Sequence, residues 1–234
     1  VNFNQLAWGA VCFYYRSIGD SKYNRIMSDT DFVNRLRNEP FNVSSIEFEE
    51  KVLLDHVNVE NYDLLIGHGL SSKILSVLVQ LLPEIMNLKQ LSILDCDLAD
   101  EETTSRIKKI YAAVYAINGL WLTGVSKIVH LLNDSLFPLL NLNISKQFGI
   151  LEGDTSLIQW MKITQQNAHE VTDDFTRQGL PGSPGDFLSE QLGYSRYGYQ
   201  KSLIKFLDEF FWLRFGDNMA VPPHWIPPAA TFEE

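Results

Sequence analysis

Apolar residues recur three and four positions apart along most of the chain, and sustained period-two alternation is hard to find, so the pattern predicts a mostly helical fold. A first helix is expected from Gln5 to Arg16. A second should begin near Ser28 or Asp29, carry Phe32, Val33 and Leu36 inward, and stop by Pro40, whose ring cannot continue a helix. Ser44 and Glu47 have the spacing of a capping box, in which the Ser oxygen accepts from a first-turn N–H and the Glu reaches back to the cap amide. The helix after it should turn Phe48, Val52, Leu53 and Val57 inward.

Gly67, Gly69 and Ser71 then punctuate the chain before an apolar helix from Ser72 to Leu82. Its run from Ile74 covers about half of the ~20 residues that span a bilayer and stops at Pro83, so it reads as a core helix and predicts no membrane span. Residues 87–97 fit either a short helix or a lone strand. Asp100 should cap a long helix with Ile107, Ile110, Tyr111, Val114 and Ile117 inward, which delivers the chain to Gly119 and a second, shorter apolar helix. Further on, Asp154 or Thr155 should cap a helix through Leu157, Ile158, Met161, Ala168 and Val171, ending near Phe175. Residues 176–184 form the best surface loop. Ser183 and Pro184 restart a short helix that Gly193 stops, and a final amphipathic helix carries Leu203, Leu207, Phe210, Phe211 and Phe215. The expectation is an all-α, single multi-helix globular domain over residues 1–216, a subdivision near residue 98 being left open, followed by a Pro-rich tail over 217–234.

Composition fits this picture: 45% hydrophobic and 21% charged residues, with 14 Phe, 9 Tyr and 5 Trp, specify an ordinary globular chain with an aromatic-rich core. Charge changes it. A net charge of −10 repels DNA and anionic membranes at long range, so nucleic-acid binding requires a local basic patch. Cys12 and Cys96 support neither a disulfide framework nor a Cys-based zinc site, and a reducing cytoplasm is the expected compartment.

The candidate chemistry begins at Leu122-Thr123-Gly124-Val125-Ser126-Lys127. A Gly-containing turn between two helices would aim free N–H groups, helped by the helix dipole, at a phosphate oxygen. Leu122, Gly124 and Val125, followed by Phe137-Pro138-Leu139-Leu140-Asn141, resemble the helix-hairpin-helix DNA glycosylase superfamily, whose hairpin reads Leu-Pro-Gly-Val-Gly and precedes a Pro-Val-Asp segment with the catalytic Asp. The likeness runs from Leu120 to Ile144. Thr123 replaces the Pro, Ser126 replaces the second Gly, and Asn141 stands at the degenerate catalytic position, where it cannot hold the carboxylate's charge. Lys127 lies one position from the Schiff-base lysine of the lyase members, but nothing around it is expected to lower its pKa. The resemblance implies a helix-hairpin-helix-like element with glycosylase activity reduced or absent. A wider likeness, carried by Gly-Val-Ser-Lys-x-x-His, Leu-Phe-Pro and the closing Tyr-Gln-Lys-Ser-Leu-x-Lys segment, is to a family of uncharacterised bacterial helical proteins, and implies a fold without an activity.

The second candidate interleaves Tyr194, Arg196, Tyr197, Tyr199, Lys201 and Lys205 with no acid between Glu190 and Asp208. Tyr faces could stack on bases while Arg196 and Lys201 meet phosphates; equally, the tyrosines could cover the core edge and Lys205 pair with Glu209 on a solvated face. Of His56, His68, His130, His169 and His224, no two have helical metal-ligand spacing, so no metal or cofactor is expected. His130 should pack against the hairpin and donate to a backbone carbonyl. Asp208 and Glu209, about 100° apart on a helix, cannot face one substrate together. Phosphate-loop and nucleophile-elbow motifs are missing. Two functions follow. One is nucleic-acid binding, with Gly124, Ser126 and Lys127 on one exposed surface beside Lys201 or Arg196. The other is a non-catalytic module for a protein partner or a second copy of itself.

Overall fold

The computed structural model describes residues 1–16, 21–57, 69–150 and 156–222. Among them every regular element is helical. Helix α1 (Phe3–Arg16) is followed by α2 (Ser21–Ser28), which hydropathy alone did not separate, and by α3 (Thr30–Asn38). Asp29 caps α3 by accepting from the Phe32 amide, and the helix stops before Pro40 as expected. Ser44 accepts from the Glu47 amide to start α4 (Ser45–Phe48), which continues as a π-helical stretch from Glu49 to Val57. Only half of the capping box forms. The Glu47 carboxylate is taken by both terminal nitrogens of Arg35 at 2.8 Å and by Lys51 at 3.0 Å, partners that sequence spacing does not show.

Gly69 adopts left-handed φ and opens α5 (Leu70–Gln80), and Pro83 starts a new helix, α6 (Leu82–Leu88), as a first-turn residue. Residues 89–99 are neither helix nor strand. Side chains satisfy carbonyls along this stretch and at the end of α6: Asn133 donates to Leu88 and Leu91, and Gln165 donates to Ile93 and Cys96.

Asp100 caps α7 (Glu101–Tyr115) through the Thr103 amide, and its Ile107, Ile110, Tyr111 and Val114 stripe is buried. After a turn with Gly119 at positive φ, α8 (Leu122–Leu132) packs on α7, α3 and the π-helical stretch. A helix this apolar all round has to be central. Leu122, Val125, Ile128, Val129, Leu131 and Leu132 are all buried.

The chain returns through α9 (Leu142–Ser145), the long α10 (Ser156–Arg177), α11 (Pro184–Gln191) capped by Ser183, and α12 (Leu203–Phe211), which ends in a π turn from Trp212 to Gly216. Helices α1, α10 and α12 pack together. Gly9 makes the α1–α12 contact possible, since a Cβ there would lie 2.8 Å from the Phe210 ring. No helix among the described residues is long and apolar enough to cross a membrane. The expected cap at Asp154 or Thr155, His68 and the tail beyond residue 222 lie outside the described residues.

Candidate functional site

Helix α8 brings the motif residues to very different places. Gly124 is buried in the first turn, and a Cβ there would stand 3.0 Å from Val57 Cγ1, so its smallness serves helix packing and not a phosphate. Ser126 is buried too. Its hydroxyl donates to the Thr123 carbonyl at 2.8 Å and accepts from the Leu140 amide at 3.0 Å, stitching α8 to the segment after Pro138. The Trp160 indole fixes the same corner by donating to the Leu139 carbonyl at 2.7 Å.

Lys127, one residue on, is half-buried and opens into a cavity of about 530 Å³, a volume in the range of small-molecule sites. Asn141 reaches the same cavity while its side-chain oxygen accepts from the Ile144 amide and caps α9. Aromatic wall is supplied by Phe13, Tyr23 and Trp212, and charge by Arg16, Lys22, Lys127 and Lys205 against Asp55, Asp208 and Asp217.

The three carboxylates are answered locally: Asp55 by Lys22 and Arg25, Asp208 by Lys205 at 3.2 Å, and Asp217 by Arg16 at 3.4 Å. Lys127 differs. Its Nζ donates to the His56 carbonyl at 2.8 Å, and burial pushes its pKa below the ordinary lysine value, with Lys205 and Lys22 acting in the same direction and Asp208 opposing. The expectation that nothing near Lys127 depresses its pKa is therefore corrected. The groups responsible come from distant parts of the chain.

Beneath the cavity, His130 Nδ1 lies 2.6 Å from the Phe137 carbonyl, which can only accept, so Nδ1 carries the proton as expected. Burial lowers the pKa of His130, leaving Nε2 as an acceptor for the Tyr23 hydroxyl 3.0 Å away. The Tyr23 ring packs against both His56 and His130, with ring centroids 5.5 and 5.6 Å apart. His56 is buried as well, and its Nε2 has no hydrogen-bond partner among the described residues.

No known protein family, curated protein or solved structure matches this chain. The site therefore has to be understood from its own geometry.

The basic stretch near residue 200 does not form a surface patch. Lys201 is 1% exposed, with Nζ 2.7 Å from Glu209 and 2.9 Å from the Tyr194 hydroxyl, so it is not available to a phosphate. Lys205 does pair with Glu209 at 3.3 Å, but inside the protein and not on a solvated face. Tyr194 and Tyr199 cover the core edge, and Arg196 is exposed. The side chain of Tyr197 lies outside the described residues. The exposed surface expected to join Gly124, Ser126 and Lys127 with Lys201 or Arg196 is absent, because Gly124 and Ser126 are buried, as is Lys201.

Asp134, near the motif in sequence, is held by Arg37 at 2.8 Å and faces a separate cavity of about 430 Å³. Among the described residues no three His, Cys, Asp or Glu side chains cluster to hold a metal ion. The sequence reading missed Tyr23, Phe13 and Trp212 as site residues. They carry no motif, and only the packing of α1, α2 and α12 around α8 brings them to Lys127.

Proposed function

We propose that this protein binds nucleic acid by taking an extruded base into the cavity beside Lys127, without base excision through position 141. The observation that carries this reading is the shared cavity of Thr123, Lys127 and Asn141 with three aromatic side chains. Aromatic faces stack bases of any sequence at about 1–3 kcal/mol each, and amide, amine and carboxylate groups address polar ring edges. The cavity also has four cations to three carboxylates in a chain of net charge −10, a local reversal of sign that a phosphate-bearing ligand requires. Asn141 contributes no negative charge to stabilise an oxocarbenium-like centre, so Asn141→Asp tests for the lost step directly.

Fluorescence anisotropy with labelled single strands and duplexes, at low and physiological salt, is the deciding experiment. Salt-sensitive binding is expected, abolished by Lys127→Glu and weakened roughly tenfold by Trp212→Ala, a loss of one stacking face. No binding at low salt would overturn the proposal. Weight would then pass to a protein-interaction role, which is favoured by Trp121, an aromatic residue at the start of α8 that is 82% exposed.

A further inference from the structure

The acidic residues of this chain are unevenly spread. It holds 29 Asp and Glu against 19 Lys and Arg, yet the first 19 residues and residues 191–207 contain no acid at all. The fold brings these two stretches together: α1 packs on α11 and α12, and the Tyr14 ring meets that of Tyr194 edge-on at 5.8 Å. Lys201 and Lys205 of the second stretch are taken inward, so its exposed cation is Arg196, on the turn that Tyr194 begins.

The last turn of α1 joins this surface to the cavity. Phe13 and Arg16, three residues apart and so on one side of the helix, both line the cavity, and Phe13 stands edge-on to Trp212, another of its walls, at 6.0 Å. Tyr14 and Tyr15 lie outside it. Tyr15 is 72% exposed, and its ring is set at 87° to that of Tyr14, which is braced in turn on the buried Tyr194. Bracing of this kind fixes a ring without covering it, so a ligand has little ordering left to impose. Single exposed aromatics are ordinary, but Tyr14, Tyr15 and Trp212 are all exposed at one end of α1, and such a cluster marks a binding surface. Cations flank it. Arg16 is half-exposed and meets Asp217 at 3.4 Å, a surface pairing weak enough to exchange for a phosphate, and the exposed Arg214 reaches Met219, which Arg16 also touches. Guanidinium groups among open aromatic faces suit a strand whose bases are unpaired, since bases in a duplex already stack on one another.

We infer that the end of α1 is a platform for single-stranded nucleic acid that continues the cavity: Tyr15 stacks a neighbouring base, and Arg16 and Arg196 hold phosphates of the strand. This rests on the base-binding reading and specifies the form of nucleic acid that the site takes.

The test compares thymidine monophosphate, octathymidylate, octauridylate and a duplex containing the run of the tighter-binding octanucleotide. The wild-type protein should bind that octanucleotide about ten- to a hundredfold more tightly than the monophosphate, the range that one stacked base with its phosphates supplies, and more tightly than the duplex. Tyr15→Ala and Arg196→Glu, both at exposed positions that the fold does not depend on, should each remove most of the gain and leave monophosphate affinity unchanged. Equal binding of monophosphate and octanucleotide, or a gain that survives both substitutions, overturns the inference and leaves base binding in the cavity intact. A duplex bound as tightly as the strand overturns it too. Octanucleotide binding that needs Tyr15 but survives Lys127→Glu keeps the platform and removes the cavity as the base site. Failure of every probe to bind overturns both.

Discussion

Lys127 shows how much of a side chain's chemistry is set by its surroundings. Its amine is desolvated by burial, while Asp208 partly restores the charged form and Lys205 and Lys22 oppose it. Asp208→Asn should therefore lower the Lys127 pKa further, and Lys205→Met should raise it. An NMR pH titration of the reductively ¹³C-methylated protein measures both shifts, and movement in the opposite senses would reject this account of the site. Ser126 is buried in α8, and its hydroxyl joins two segments of the chain. It accepts from the Leu140 amide, a partner 14 positions away that local sequence cannot reveal.

At the scale of elements, two glycines govern how closely helices approach. Gly124 admits Val57 against α8, and Gly9 admits Phe210 against α1. Gly9→Ala should destabilise the protein by about 1–3 kcal/mol in urea unfolding, because a Cβ would force the aromatic ring of α12 aside and overpacking outweighs the helix propensity gained. A neutral or stabilising effect would show that the α1–α12 contact yields easily. Most helices were legible from periodicity and caps: Asp29, Ser44, Asp100 and Ser183 all start helices where their spacing indicates. Residues 89–99 were not, because their conformation is held by Asn133 and Gln165, side chains of other elements.

For the whole molecule, acid sensitivity follows from where its carboxylates are held. Arg35 holds the Glu47 carboxyl at a pKa of about 2, against 4.5 ordinarily, with Lys51 helping. Lys51 lowers the Asp29 carboxyl, and Lys109 with Arg106 lowers that of Glu84. The unfolded chain binds more protons than the folded one between these values, so this stability is present above about pH 4.5 and is lost as the pH falls towards 2. Urea midpoints measured from about pH 7 down to about pH 2 should fall over that window, and Glu47→Gln should reduce the drop. An unchanged drop in that variant would show that Glu47 does not contribute.

The buried centre adds a different constraint. Lys201 and Lys205 share Glu209 with no bulk water to screen them, an arrangement sustained only by close pairing. In sequence these residues read as a basic, solvated helix face, since Lys is rarely buried and spacing cannot show which face of α12 meets the core. Sequence by itself determined the helical class, the caps and the inward stripes, because those depend on residues within a turn or two of each other. Tertiary structure decided the site: Lys127, His56, Tyr23 and Trp212 come from four segments, and the desolvation that depresses one amine and leaves one imidazole nitrogen without a hydrogen-bond partner among the described residues exists only once those segments pack.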